Sequence, residues 1–142
     1  MPAEYVSAEV RRFVAARARG YCEYCRVPDR FVPDTFTLDH IQPRAAEGKT
    51  TLDNLAWTCP GCNSHKHTTT AAADPQTGDT LPLFHPRQQR WADHFAWSDD
   101  FLQIIGLTPC GRATIEALKL NRPELINLRY VLVIADLHPP SL

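Results

Sequence analysis

The chain has 142 residues, 44% of them hydrophobic and 22% charged, and a formal net charge of -1. Those values suit one globular domain with a small appendage and exclude a disordered or fibrous chain. They also exclude a uniformly basic nucleic-acid binder, so any grip on phosphate must come from positive charge gathered on one face.

In chain order, Ser7 caps an expected helix over 8–19, with Val10, Phe13, Val14 and Ala18 on one side and Gly20 as its stop. The opposite side carries Arg11, Arg12, Arg17 and Arg19, either a solvated face or a phosphate-contacting stripe. Pro28 and Pro33 mark a loop. A short strand is expected over 35–38, ending at Asp39-His40. A polar loop with Gly48 follows, then a second short strand over 54–58 and a short helix beginning near Asn63. The Thr-, Ala- and Asp-rich run 68–79 reads as a connecting loop. Beyond it come a hairpin, 94–97 with 101–107, turning at Ser98-Asp99-Asp100, and a helix over 108–120. A last helix starts at Pro123, with Leu125, Leu128, Val131, Leu132 and Ala135 as its apolar face.

No stretch reaches the roughly 20 apolar residues of a membrane helix. Met1-Pro2-Ala3-Glu4-Tyr5 lacks the basic start and apolar run of a secretory signal. A cytoplasmic protein without membrane contact is the expectation. In a reducing compartment its five cysteines argue for metal rather than disulfides.

Two Cys-x-x-Cys pairs carry that argument, Cys22/Cys25 and Cys59/Cys62. Two intervening residues turn the chain so that both thiolates of a pair converge, and two such knuckles close a tetrahedral site. A closed four-sulfur site has no open position, so the expected zinc is structural and supplies folding free energy to a small unit. Cys110 lies far from the knuckles and reads as a packed or idle thiol.

Between and after the knuckles stand Asp39-His40-Ile41-x-Pro43, Gly48, Leu52-Asp53-Asn54-Leu55 and Cys62-Asn63-x-x-Lys66. In this order and at these intervals, the run from Cys22 to His67 resembles the HNH endonucleases, whose site is a ββα-metal motif. The resemblance covers about the first half of the chain, and 83–128 looks like the tail of small bacterial HNH proteins. It implies an α+β fold with a zinc-stapled ββα core and an N-terminal helix over 1–70. A C-terminal extension over 71–142, a hairpin and two helices, would pack on that core.

The residues suit the chemistry that the resemblance implies. Cutting a phosphodiester requires an activated water and a cation for the departing oxygen. A neutral imidazole takes a proton near pH 7, which suits His40 as general base. Asp39 offers oxygen to a hard ion such as Mg²⁺ or Mn²⁺. Asn63 and His67, four apart, point the same way if both lie on one helix. The resemblance implies metal-holding roles for Asp39 and Asn63, with His67 matching a third ligand of the bacteriocin branch. It implies for Asn54 a bracing role on the loop after His40, and 5′-phosphate and 3′-hydroxyl products from DNA. Lys66 either offers charge to the scissile phosphate or faces solvent. Arg11, Arg12, Arg17, Arg19, Arg44 and Lys49 are candidate phosphate contacts, with ordinary exposed charge as the alternative. His65, His85, His94 and His138 read as surface or core residues. Trp57, Trp91 and Trp97 read as core or interface. A homodimer through the C-terminal helices is left open. The rival function is a non-catalytic zinc module that binds nucleic acid or protein, and a third is a degenerate relative retained for an interaction role.

Overall fold

The computed structural model describes residues 6–142; Met1–Tyr5, read above for a signal, lie outside them. The architecture is α+β, with helices and three two-stranded antiparallel sheets. The chain divides into two compact units, one ending at Thr68 and one spanning Thr69–Leu142. Among the described residues no helix is long and apolar enough to cross a membrane.

The first unit opens with α1 (Ala8–Arg17), capped by the Ser7 hydroxyl, which accepts from the Val10 amide at 3.1 Å. Val14 is fully buried beneath it and Ala18 nearly so, while Phe13 is half exposed, with the Arg17 guanidinium over its ring. The helix stops earlier than expected because Arg19 and Gly20 both take positive φ and turn their amides back to Ala16 and Ala15.

β1 (Thr37–His40) pairs antiparallel with β2 (Leu55–Thr58), in a register that sets Asp39 opposite Ala56 and His40 opposite Leu55. β2 is buried along its whole length. The following helix, α2 (Pro60–Lys66), starts three residues before the expected point. Pro60 presets the helical φ at its first position, and the Cys59 sulfur caps it by accepting from the Cys62 amide at 3.4 Å. The second knuckle is thus itself the first turn of the helix.

In the second unit the expected loop 68–79 is instead half of a hairpin. β3 (Ala71–Ala73) pairs with β4 (Thr80–Pro82), with Ala71 opposite Pro82 and Ala73 opposite Thr80. Three alanines carry almost no strand signal. The pairing is organised by Asp74, whose carboxylate is gripped at 2.9 Å on both oxygens by the Arg112 guanidinium and also accepts from Gln76 and Thr77. Arg112 holds that carboxyl well below the usual range.

A one-turn helix, α3 (Trp91–His94), leads into β5 (Phe95–Trp97), which pairs with β6 (Ile104–Gly106). α4 (Pro109–Leu118) packs against β3, β4 and β6, capped by Thr108. α5 (Pro123–Ile134) buries Leu125 and Leu132 of the expected apolar face with Arg129 between them, while Val131 is 58% exposed and Ala135 is exposed too. Arg129 can occupy the centre of the inward face because Leu102, Leu120 and Asn121 supply oxygens to its guanidinium and Trp97 lies beneath it. Polarity hid that face from a hydrophobic pattern.

Candidate metal centre and catalytic site

All four knuckle cysteines are buried and free of disulfides, and their sulfurs lie within 4.8 Å of one another. A tetrahedral zinc with bonds of ~2.3 Å separates its sulfurs by about 3.8 Å. Cys25 and Cys59 stand 3.7 Å apart, so the donor set fits zinc as it lies. Burial pushes the Cys22 and Cys25 thiols up, a cost that a divalent cation offsets by taking the protons' place. Arg26 lies close enough to Cys22 and Cys25 to feel their charge, and would partly neutralise a four-thiolate zinc. Among the described residues these cysteines form the one group of three or more His, Cys, Asp or Glu side chains placed to share an ion.

The knuckle is tied to the hairpin. The Glu23 amide donates to the Trp57 carbonyl at 2.9 Å, and the Glu23 carboxylate accepts from the Trp57 amide at 2.8 Å. α1 is tied to it as well. Arg17 donates to the Leu52 and Leu55 carbonyls at 2.9 and 2.7 Å. Arg11 donates to the Phe36 carbonyl and lies over the Trp57 ring. Two of the four arginines read as a basic stripe are therefore engaged in docking the helix. Arg12, Arg19, Arg44 and Lys49 remain exposed.

Asp39, on β1, is buried. Its Oδ2 accepts from the Tyr24 hydroxyl at 2.8 Å and its Oδ1 from the Lys66 ammonium at 3.2 Å. Burial pushes the Asp39 carboxyl above its ordinary value, and Lys66 and Tyr24 pull it partly back. Lys66 is 1% exposed and faces neither solvent nor any open surface. Its ammonium also donates to the carbonyls of His40, at 3.1 Å, and Ile41, at 3.0 Å. It binds the last turn of α2 to the point where β1 ends. Lys66→Met keeps the stem but strands a buried carboxylate, and is expected to cost about 3–5 kcal/mol of stability. Urea unfolding of the zinc-loaded protein reads it, and a midpoint equal to the parent's would remove this ion pair from the supports of the site.

His40 is half-buried at the end of β1, with its Nε2 2.7 Å from the Thr50 hydroxyl. The loop between them is braced by Asn54. Its Oδ1 accepts from the Gln42 amide at 2.8 Å, and its Nδ2 donates to the carbonyls of Gln42 at 3.0 Å and Lys49 at 2.8 Å. Gly48 packs onto the same strap. A Cβ there would fall 1.7 Å from the Gln42 carbonyl oxygen, which no side chain tolerates.

Residues 22–69 match the family model described as HNH endonuclease. The matched segment, about a third of the chain, is similar to an HNH domain and holds the four-cysteine cluster. A search of curated proteins and a search of solved structures each returned no match to the chain.

Within the matched segment the remaining expected ligands are placed unevenly. Asn63 lies on α2, partly exposed. His67 follows the last helical residue with φ 45° and ψ -118°, so its Cβ leaves the helical direction and the four-residue spacing no longer aligns it with Asn63. Tyr24 and Thr50 were missed from the sequence. Tyr24 reads as a spacer inside a Cys-x-x-Cys pair, and Thr50 as one of several polar loop residues. Only the fold brings the first to Asp39 and the second to His40. His65 is exposed, and His138 is buried against Trp97.

Proposed function

We propose that the protein is a metal-dependent endonuclease that hydrolyses DNA phosphodiester bonds, with His40 as general base. One observation carries the reading. Asp39 and His40 end a strand whose last carbonyl is held from α2 by Lys66, and the loop that follows, which carries the Thr50 hydroxyl to the His40 ring, is held by Asn54. Two independent supports at one strand end exceed what a surface hairpin requires, and they suit a pair of side chains that must not move.

His40 takes a proton from a water, whose oxygen attacks phosphorus. The bond from phosphorus to O3′ breaks, leaving a 5′-phosphate and a 3′-oxygen that gains a proton to become hydroxyl. Asn63 would offer its amide oxygen to a hard divalent ion, Asp39 would join it on giving up its Tyr24 or Lys66 contact, and His67, which leaves the α2 direction, does not line up with Asn63 to complete the set. Oxygen donors of this kind fit Mg²⁺ or Mn²⁺, which when bound offsets negative charge on the departing oxygen. Lys66 serves by holding Asp39 and the β1 terminus in place, since its burial keeps it from the phosphate. Arg12, Arg19, Arg44 and Lys49 are exposed and would meet the DNA backbone. Through so few contacts non-specific binding should be weak and its salt dependence shallow, since the slope scales with the number of phosphates neutralised.

The test is conversion of supercoiled plasmid to nicked or linear forms by zinc-loaded protein. Cutting is expected with Mg²⁺ or Mn²⁺ and is expected to stop with EDTA while the zinc content stays constant. Absence of cutting with either ion, in protein that still binds DNA or a protein partner, would instead establish a non-catalytic zinc module.

A further inference from the structure

We infer that Thr50 is a positioning residue for the His40 imidazole, and that Asn54 acts on His40 through it. The inference rests on the endonuclease reading for its catalytic consequence, but not for the geometry behind it. The Thr50 hydroxyl lies 2.7 Å from His40 Nε2. Rotation of an imidazole about its last torsion is soft, and a hydrogen bond to one ring nitrogen fixes both its orientation and its proton arrangement.

Thr50 can do this only if its own backbone is fixed, and the strap leading to it is. The 42–50 segment leaves β1 and folds back on itself. The Gly48 amide donates to the Pro43 carbonyl at 2.9 Å, and the Glu47 amide donates to the Arg44 carbonyl. The Asn54 side chain spans both ends of the strap, with two bonds to Gln42 and one to Lys49, the residue before Thr50. The Asn54 backbone carbonyl accepts from the Ile41 amide at 2.9 Å, which closes the strap on β2. The order of influence is therefore Asn54 to the strap, the strap to Thr50, and the Thr50 hydroxyl to the ring. Thr37, Leu38 and Asp39 pair with β2 and hold the His40 backbone, but they leave its ring torsion open.

The experiment compares Thr50→Val, Thr50→Ser, Asn54→Ala and the Thr50→Val/Asn54→Ala pair, each zinc-loaded and each checked for the parent's melting temperature. The first readout is the ¹⁵N shifts of the His40 ring in the protein without DNA. Thr50→Val is expected to move them, Thr50→Ser to restore them, and Asn54→Ala to move them in the same direction. The second readout is plasmid nicking. Thr50→Val should lower kcat by about 10–100-fold, the scale of a small misplacement of a reacting group, with KM near the parent's. The double variant should lose little more than the worse single variant, because both act on one contact. Unmoved ring shifts in a folded Thr50→Val protein would overturn the inference, as would full additivity of the two losses. If the parent protein does not cut at all, the endonuclease reading fails alone, and the ring shifts still decide the role of Thr50.

Discussion

Cys59→Ala is expected to release the metal and unfold the zinc-stapled segment around it, a stability effect larger than that of any other substitution considered. Cys59 has two duties. Its sulfur is one of four mutually close, buried thiols, and it also caps α2 by accepting from the Cys62 amide. Loss of a helix cap costs about 1 kcal/mol. Loss of a zinc ligand is far larger, because binding free energies of about 10–16 kcal/mol in small zinc modules are folding free energy. Three thiolates cannot close a tetrahedral site, and two of them, Cys22 and Cys25, are held where burial already penalises the charged form. α2 carries Asn63 and Lys66, so its first turn, the Asp39 ion pair and the strand-end clamp should go together. Zinc content by chromophore displacement and far-ultraviolet circular dichroism measure this. A variant holding one zinc per chain with the parent's melting curve would show that the knuckles do not share an ion. Cys110→Ala is the control, as it lies outside the cluster and should leave the zinc content unchanged.

Sequence reading reached different depths in different parts of the chain. The four cysteines are legible because two Cys-x-x-Cys pairs rest on a residue type whose chemistry admits few uses at that spacing. The caps at Ser7 and Thr108 were legible for the same reason, since a hydroxyl before a helical run satisfies an otherwise unpaired amide. What escaped was fixed by partners distant in sequence. Lys66 reads as a charge for the scissile phosphate or an exposed lysine on a short helix until the fold brings the carbonyls of His40 and Ile41 and the carboxylate of Asp39 around its ammonium. Arg11 and Arg17 read as free charge until the strands supply carbonyls at 36, 52 and 55. Arg129 breaks an apolar pattern only because its acceptors come from the turn after β5 and the end of α4. The β3–β4 hairpin has no strand signal of its own and depends on Asp74 and Arg112, 38 residues apart. In each case a polar side chain is buried by satisfying it, and periodicity alone carries no record of who satisfies whom.

His40→Ala is expected to abolish nicking while leaving the fold and the zinc in place, the sharpest separation of chemistry from structure that this site allows. The imidazole is only half-buried, and its bond to Thr50 lies at the margin of the hairpin, so its loss removes little apolar burial. The backbone around it is held by other residues, through the Lys66 ammonium and the Ile41-to-Asn54 bond. A general base contributes roughly 10²–10⁴-fold to such a reaction, so the residual rate should fall near the detection limit of a plasmid assay. The contrast with Cys59→Ala makes the result interpretable. Both variants should lose activity, but only one should lose its zinc and its melting transition. Parent-level cutting by folded, zinc-loaded His40→Ala protein would remove His40 as the base. It would then shift attention to the other groups that line the same strand end, Thr50 and Asp39 first.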